Sequence, residues 1–272
     1  MENDKGHIEN VAAEAFTRQS GIFDDIYGSN TIIKYKRERI RAHINKYLQP
    51  SGNILELNAG TGEDAIYFAE QGHTVHATDI SSGMLGKLKG KVNIMELVNK
   101  ITTEQCSFNV LDKLKHRGPY DLIFSNFAGL NCTWQLPEVI RSFEPLLKDG
   151  GIATLVLLSP FCLWESLQLL RGQGKLATRR FSARKGVPAH VEGVHFTCWY
   201  YSASVLQDSV KDIFEVIDTE GLCTLVPPSY FEHFAEKHPR TYAWLKQKEE
   251  SLKNKDPWRS IGDYYIITFR KK

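Results

Sequence analysis

The run Ile54-Leu55-Glu56-Leu57-Asn58-Ala59-Gly60-Thr61-Gly62-Glu63-Asp64-Ala65, followed by Thr74-Val75-His76-Ala77-Thr78-Asp79, leaves a chain little freedom in how it folds. A hydrophobic strand stops at a tight turn, a helix follows, and a second strand ends on an acid. Gly60 and Gly62 let the backbone approach a ligand closely, and the helix after them aims its unpaired N–H groups at that ligand. Asp79 closes the second strand, where a carboxylate accepts both hydroxyls of a ribose. The spacing predicts an α/β sheet protein that holds an adenosine-containing cofactor.

Gly60, Gly62 and Ala65 also satisfy the loose pattern G-x-G-x-x-G/A of dinucleotide sites, so the glycines alone leave two cofactors open. Glu56 separates them. An acid within the strand end, four residues before Gly60, resembles motif I of the class I S-adenosylmethionine-dependent methyltransferases, where such an acid faces the methionine end of the cofactor. Further runs in family order carry the same resemblance. Asp79-Ile80-Ser81-Ser82-Gly83-Met84-Leu85 is similar to the second motif, which implies Asp79 on the ribose and Ile80 and Met84 against the adenine. Phe108-Asn109 stands where the family has a glycine and an acid, and Asn109 offers an amide to the adenine edge. Tyr120 to Asn131 resembles the fourth strand and its loop, with Asn126 and Phe127 beside the cofactor. Leu146 to Val156 resembles the helix end, glycine turn and fifth strand. Asn58 and Ala59 depart from the usual Gly-Cys or Gly-Ser, but Asn tolerates left-handed backbone angles, so the turn survives.

The implied fold is α/β: a Rossmann-like, seven-stranded methyltransferase sheet, mostly parallel, its last strand antiparallel between the fifth and sixth. Strands are expected at 53–58, 74–79, 105–110, 120–126 and 151–158, with a sixth at 214–218 and a last at 264–269. Helices are expected at 64–71, from 82 to about 103, at 137–148, 204–211 and within 229–256. Residues 1–48 are expected to form a helical lid on the domain 49–272, and residues 160–203 a substrate cap inserted after the fifth strand. Tyr27, Tyr35 and Arg37 in the lid are candidates to cover the methionine end, Arg37 by binding its carboxylate.

Methyl transfer asks little covalent chemistry of the protein, because the sulfonium already makes the methyl carbon electrophilic. Orientation of the acceptor supplies roughly 7 to 11 kcal/mol in favourable cases. A base is needed only if the acceptor loses a proton, and His190, His195 and Tyr200 in the cap are the candidates. The aromatic set Trp164, Phe196, Trp199, Tyr200, Tyr201 and Tyr230 reads as a small satellite core or a seat for a planar acceptor. The run Arg171, Lys175, Arg179, Arg180, Arg184 and Lys185 reads as a solvated loop or as a dock for an anionic acceptor, phosphate or RNA backbone.

The chain has 272 residues, 42% of them hydrophobic, with a formal charge of +2. That suits one sizeable core and gives no reason to expect membrane or nucleic-acid partners. His233 and His238 are five apart, off a common helical face, and the five cysteines lack C-x-x-C spacing, so no metal is expected. The reading is a cytoplasmic enzyme that methylates a small molecule from S-adenosylmethionine and releases S-adenosylhomocysteine. An RNA or protein methyltransferase, a nicotinamide-dependent oxidoreductase and a non-catalytic cofactor-binding protein remain as alternatives.

Overall fold

The computed structural model describes residues 2–174, 178–180, 186–231 and 233–272. Seven strands form one sheet in the order β3-β2-β1-β4-β5-β9-β8, and β6 and β7 form a separate hairpin. Strands β1 (Asn53–Leu57), β2 (Thr74–Asp79), β3 (Ile101–Gln105), β4 (Tyr120–Ser125) and β5 (Leu147–Leu158) run parallel. β9 (Tyr264–Lys271) lies antiparallel between β5 and β8 (Phe214–Leu222), which is the seven-stranded methyltransferase arrangement.

Alternation along the strands builds a core on each face. Leu55, Leu57, Ile123, Leu155 and Phe269 point to one side and Ile54, Leu122, Phe124, Val156 and Ile266 to the other. The second face is covered by α3 (Thr31–Ile44), α4 (Glu63–Glu70) and α5 (Ser82–Ile94), through Ile40, Ile44, Phe68 and Leu88. The first is covered by α6 (Leu136–Arg141) and α8 (Ala203–Val210). Between them in the chain lies the short α7 (Leu163–Leu167).

Chain order reverses at β1, with β2 on one flank and β4 on the other, so a crevice opens beyond their carboxyl ends. Register puts Leu57 level with Thr78 and Ser125 at the mouth of that crevice. Above it lie α1 (Glu2–Gln19) and α2 (Phe23–Gly28). α1 is tied down by Thr17 Oγ1, 2.8 Å from Ser81 Oγ, and by Phe16 stacking on Phe196 of the hairpin β6 (Val187–Val191) and β7 (Val194–Cys198), with 6.0 Å between ring centroids.

Several expected boundaries move. The third strand is Ile101–Gln105 rather than 105–110, since α5 ends at Ile94 and Phe108–Lys113 forms 3-10 turns. Its alternation is weak because β3 is an edge strand with a largely polar outer face. The helix expected over 137–148 stops at Arg141; Pro145 opens a separate 3-10 turn, and β5 starts early, at Leu147. The helix expected within 229–256 is two, α9 (Phe234–Lys237) and α10 (Pro239–Leu252). Pro239 lacks an N–H and holds His238 at φ −134, ψ 56, which breaks the run.

Candidate functional site

The glycine turn is built by backbone angles that few residues accept. Asn58 (φ 55), Gly60 (φ 56) and Gly62 (φ 85) are all left-handed. Asp79 at the end of β2 fixes the turn: its Oδ2 accepts from the Gly60 N–H at 2.9 Å and its Oδ1 from the Ser81 N–H at 2.8 Å. Each oxygen retains a free lone pair. The two glycines serve different ends. A Cβ on Gly60 would meet no atom within 4 Å and would stand in open space, whereas one on Gly62 would lie 2.0 Å from Leu88 Cδ1. Gly62 therefore lets α5 pack under the turn, and Gly60 keeps the space above it clear.

Glu56 shares the face of Ile54, so its side chain turns toward α3 and α4. It is 3% exposed, and its Oε2 has no hydrogen-bond partner. Burial, reinforced by the nearby charge of Asp64, pushes its pKa well above the usual carboxylate range. Asp64, equally buried, has the opposite fate. Burial is outweighed by Arg37 and Arg41 and by the Asn126 amide, which donates to Oδ2 at 2.8 Å, so its pKa is lowered. Arg37 Nη1 donates to Asp64 at 2.5 Å and Arg41 Nε at 2.9 Å.

Glu56 and the glycine turn form part of one cavity, partly open to solvent, whose mixed polar and apolar lining suits a nucleoside with a side arm. Ile80, Met84 and Phe108 give it an apolar wall, and Asn126, Phe127 and Gly129 close the end beyond β4. Phe127 (φ 45) and Ala128 (φ 65) are consecutive non-glycine residues in the left-handed region, each costing roughly 1–2 kcal/mol, a type of strain that gathers at functional sites. From above, α1 contributes Glu9, Ala12, Ala13 and Phe16.

Of the residues expected around a cofactor, Arg37, Glu56, Asn58, Ala59, Gly60, Asp79, Ile80, Met84, Phe108, Asn126 and Phe127 line this cavity. Three do not. Gly62 is turned under it, and Tyr27 lines two neighbouring depressions instead. Asn109 stands behind the wall, where its Nδ2 donates to Glu9 Oε2 at 3.1 Å. Tyr35 faces away and donates to Glu249 at 2.9 Å. Sequence reasoning missed Asp64, whose placement in the first helical turn was a signal, and Glu9, which no local pattern marks. Glu9 is 7% exposed and its Oε1 is without a partner.

The three candidate bases lie off the cavity. His190 and His195 are an exposed cross-strand pair on the hairpin, with ring centroids 4.5 Å apart. Tyr200 is buried, with the Arg180 guanidinium 5.3 Å from its ring. The aromatic set divides: Phe196, Tyr200 and Tyr201 join the main core, while Trp164 packs on Phe231 and Phe234.

Part of the basic run is held in ion pairs rather than solvated. Arg180 is 3% exposed and donates to Asp263 at 2.7 Å and to Glu165 at 2.6 Å; Arg179 donates to Glu165 as well. Lys175, Arg184 and Lys185 lie outside the described residues. Two clusters among the described residues have metal-ligand spacing, His43 with Asp218 and Glu220, and Cys162 with Glu165 and Asp263. Each is already laced with cations, Arg39 and Lys46 in the first and Arg180 and Lys36 in the second.

Comparison with known proteins agrees with the fold. Residues 54–151 match the family described as Methyltransferase domain. An uncharacterised methyltransferase of Synechocystis sp. is 30% identical over 132 residues, an alignment that covers 47% of this chain and 58% of that protein. The chain thus spans under two thirds of that relative's length. Among solved structures, a candidate S-adenosylmethionine-dependent methyltransferase from Listeria monocytogenes superposes with a TM-score of 0.61 at 16% identity, over 85% of this chain and 96% of that one. The 1,6-didemethyltoxoflavin N1-methyltransferase of Burkholderia thailandensis, with bound S-adenosylhomocysteine, gives 0.55 at 15% identity, over 97% and 88%.

Proposed function

Starting from residues 54–151, which match the methyltransferase-domain family, we propose that this protein transfers the methyl group of S-adenosylmethionine to a small-molecule acceptor. One observation carries the reading: a buried carboxylate oxygen without a partner, Glu56 Oε2, in the wall of a cavity whose floor is a glycine turn tied to Asp79. An isolated buried acid is costly, and a ligand ammonium, such as the one on the methionine arm, satisfies it. The two Asp79 oxygens receive the ribose hydroxyls, Arg37 meets the methionine carboxylate, and Ile80, Met84 and Phe108 hold the adenine. Glu9 Oε1 accepts the adenine amino group, with Asn109 fixing the Glu9 carboxylate from behind.

When bound, the cofactor supplies a methyl carbon activated by its neighbouring sulfonium. Its carbon–sulfur bond would break with the electron pair left on sulfur as a neutral thioether while an acceptor lone pair made the new bond. The protein's part is alignment and exclusion of water, for which the α1 roof and the strained Phe127-Ala128 corner are placed. Residues 1–48 act as the lid, through Glu9, Phe16 and Arg37, whereas the described part of 160–203 does not line the cavity.

The locking of Arg179 and Arg180 into ion pairs favours an enclosed small acceptor over RNA. The methyltransferase match favours S-adenosylmethionine over a nicotinamide cofactor. Five free cysteines accord with a cytoplasmic setting, and among the described residues no helix is long and apolar enough to cross a membrane. Titration calorimetry with S-adenosylhomocysteine tests the reading. Binding of one equivalent is expected; absence of heat from folded protein at several temperatures overturns it.

A further inference from the structure

A second cavity of about 560 Å³ adjoins the first and shares Phe16, Phe23, Arg37 and Phe127 with it. A molecule seated there would touch the methionine end of the cofactor site through those shared residues. Its lining is uneven in a way that selects chemistry. Five aromatic rings surround it, those of Phe16, Phe23, Tyr27, Phe127 and Tyr264, and its charged side chains are Lys36 and Arg37, with no carboxylate among the described lining.

Lys36 is the informative one. It rises from α3, is 1% exposed, and stands with its Nζ 4.4 Å from the centroid of the Tyr264 ring. The ammonium donates to Asp263 Oδ2 and to Ser229 Oγ, each at 3.2 Å, which uses two of its three protons. Asp263 is shared with Arg180, and Arg180 and Arg179 in turn share Glu165. Within this cluster three cations face two carboxylates. Burial disfavours the charged form of Lys36, yet the Asp263 carboxylate outweighs it and holds the ammonium protonated. The surplus charge sits on Arg179, whose side chain is 41% exposed and solvated; Lys36 is paired with Asp263 and keeps one proton without a hydrogen-bond acceptor among the described residues, at the wall of an aromatic chamber.

We infer that the methyl acceptor is a flat, aromatic anion, an arenecarboxylate in chemical class, which seats its ring among Phe16, Phe23 and Phe127 and its carboxylate on the free proton of Lys36. The inference rests on the methyltransferase reading and adds the acceptor's class to it. A cationic acceptor would be repelled by Lys36 and Arg37, a neutral one would give the remaining Lys36 proton a weaker partner, and a flexible aliphatic one would not use the ring faces.

The test is calorimetry on the full chain saturated with S-adenosylhomocysteine, titrated with salicylate, 2-naphthoate and quinoline-2-carboxylate and with the matching carboxamides. At least one carboxylate is expected to bind ten or more times more tightly than its amide, and Lys36→Met is expected to reduce that ratio to near one while S-adenosylhomocysteine affinity stays unchanged. Cofactor binding with no carboxylate preference, or a preference that survives Lys36→Met, overturns the inference alone. Failure of S-adenosylhomocysteine to bind overturns the cofactor reading and the inference with it. If Lys36→Met does not fold, a crystal of the wild-type complex soaked with 2-naphthoate decides. A carboxylate within hydrogen-bond distance of Lys36 Nζ supports the assignment, and naphthoate bound elsewhere or not at all overturns it.

Discussion

Gly60 and Gly62 are two residues apart, equally left-handed, and differently constrained. Gly62→Ala drives a methyl into Leu88 and is expected to lose about 1–3 kcal/mol of stability, read as a lower urea midpoint. Gly60→Val is expected to keep more of the fold and lose S-adenosylhomocysteine binding, because its side chain enters open cavity. Equal loss of stability in both would contradict the packing described here. Glu56→Gln removes a buried acid that gains from neutralisation, so the ligand-free protein should melt at or above the wild-type temperature while S-adenosylhomocysteine binds about 1–3 kcal/mol more weakly. Since the folded pKa of Glu56 is raised, its ionisation costs stability as pH rises above the unfolded value, and ligand binding to wild type should release a proton. Calorimetry in buffers of different ionisation heat reads that proton; none released would separate Glu56 from the ligand's ammonium. Wild type is expected to prefer S-adenosylhomocysteine to its inosine analogue, which has an oxygen in place of the amino group, and Glu9→Gln should narrow the preference by roughly tenfold, the scale of one charge-assisted hydrogen bond. Glu56 and Asp79 were legible because strand, turn and strand place them locally. Glu9 was not, because its partner Asn109 is 100 residues away and only the tertiary fold brings α1 to it.

At the scale of elements, most of the strands follow from the succession of apolar runs, and the sheet order with its antiparallel last strand from the family resemblance. The misplaced third strand shows the limit of periodicity: an edge strand such as Ile101-Thr102-Thr103-Glu104-Gln105 buries too little on its outer side to alternate clearly. Nor did any motif mark the ionic seam that pins α3 to β8. Glu220, fully buried, meets His43 at 3.0 Å and Arg39 at 3.1 Å, with Lys46 also in contact. Next to it Glu249 of α10 accepts the backbone N–H groups of Cys223, Thr224, Leu225 and Val226. Burial opposes ionisation of Glu220, but His43, Lys46 and Arg39 outweigh it and hold the pKa below the usual range. A carboxylate so depressed adds stability above its unfolded pKa of about 4.3, and that stability is lost as pH falls toward the folded value. Glu220→Gln is expected to cost roughly 3–5 kcal/mol at pH 7, and the gap to wild type should shrink below about pH 4. A gap independent of pH in urea titrations would show that the charge is not what matters.

Across the whole molecule, the cavity at the glycine turn and the one adjoining it lie under one roof, α1 and α2, which contribute no strand to the sheet beneath. Ligand should therefore stiffen the roof first. At about 100 times Kd, S-adenosylhomocysteine adds about 2.7 kcal/mol, so amides of α1 that open only when the site empties should exchange up to about a hundredfold more slowly. Exchange in α1 that is indifferent to ligand would detach the roof from the site. The sheet carries a different consequence. β8 finds its partner in β9, and β5 bonds β9 on that flank, so two strands well separated in the chain wait on a third made after both. During synthesis on the ribosome, residues 147–222 emerge with two raw hydrogen-bonding edges and nothing to zip them, until Tyr264–Lys271 slides in as the keystone.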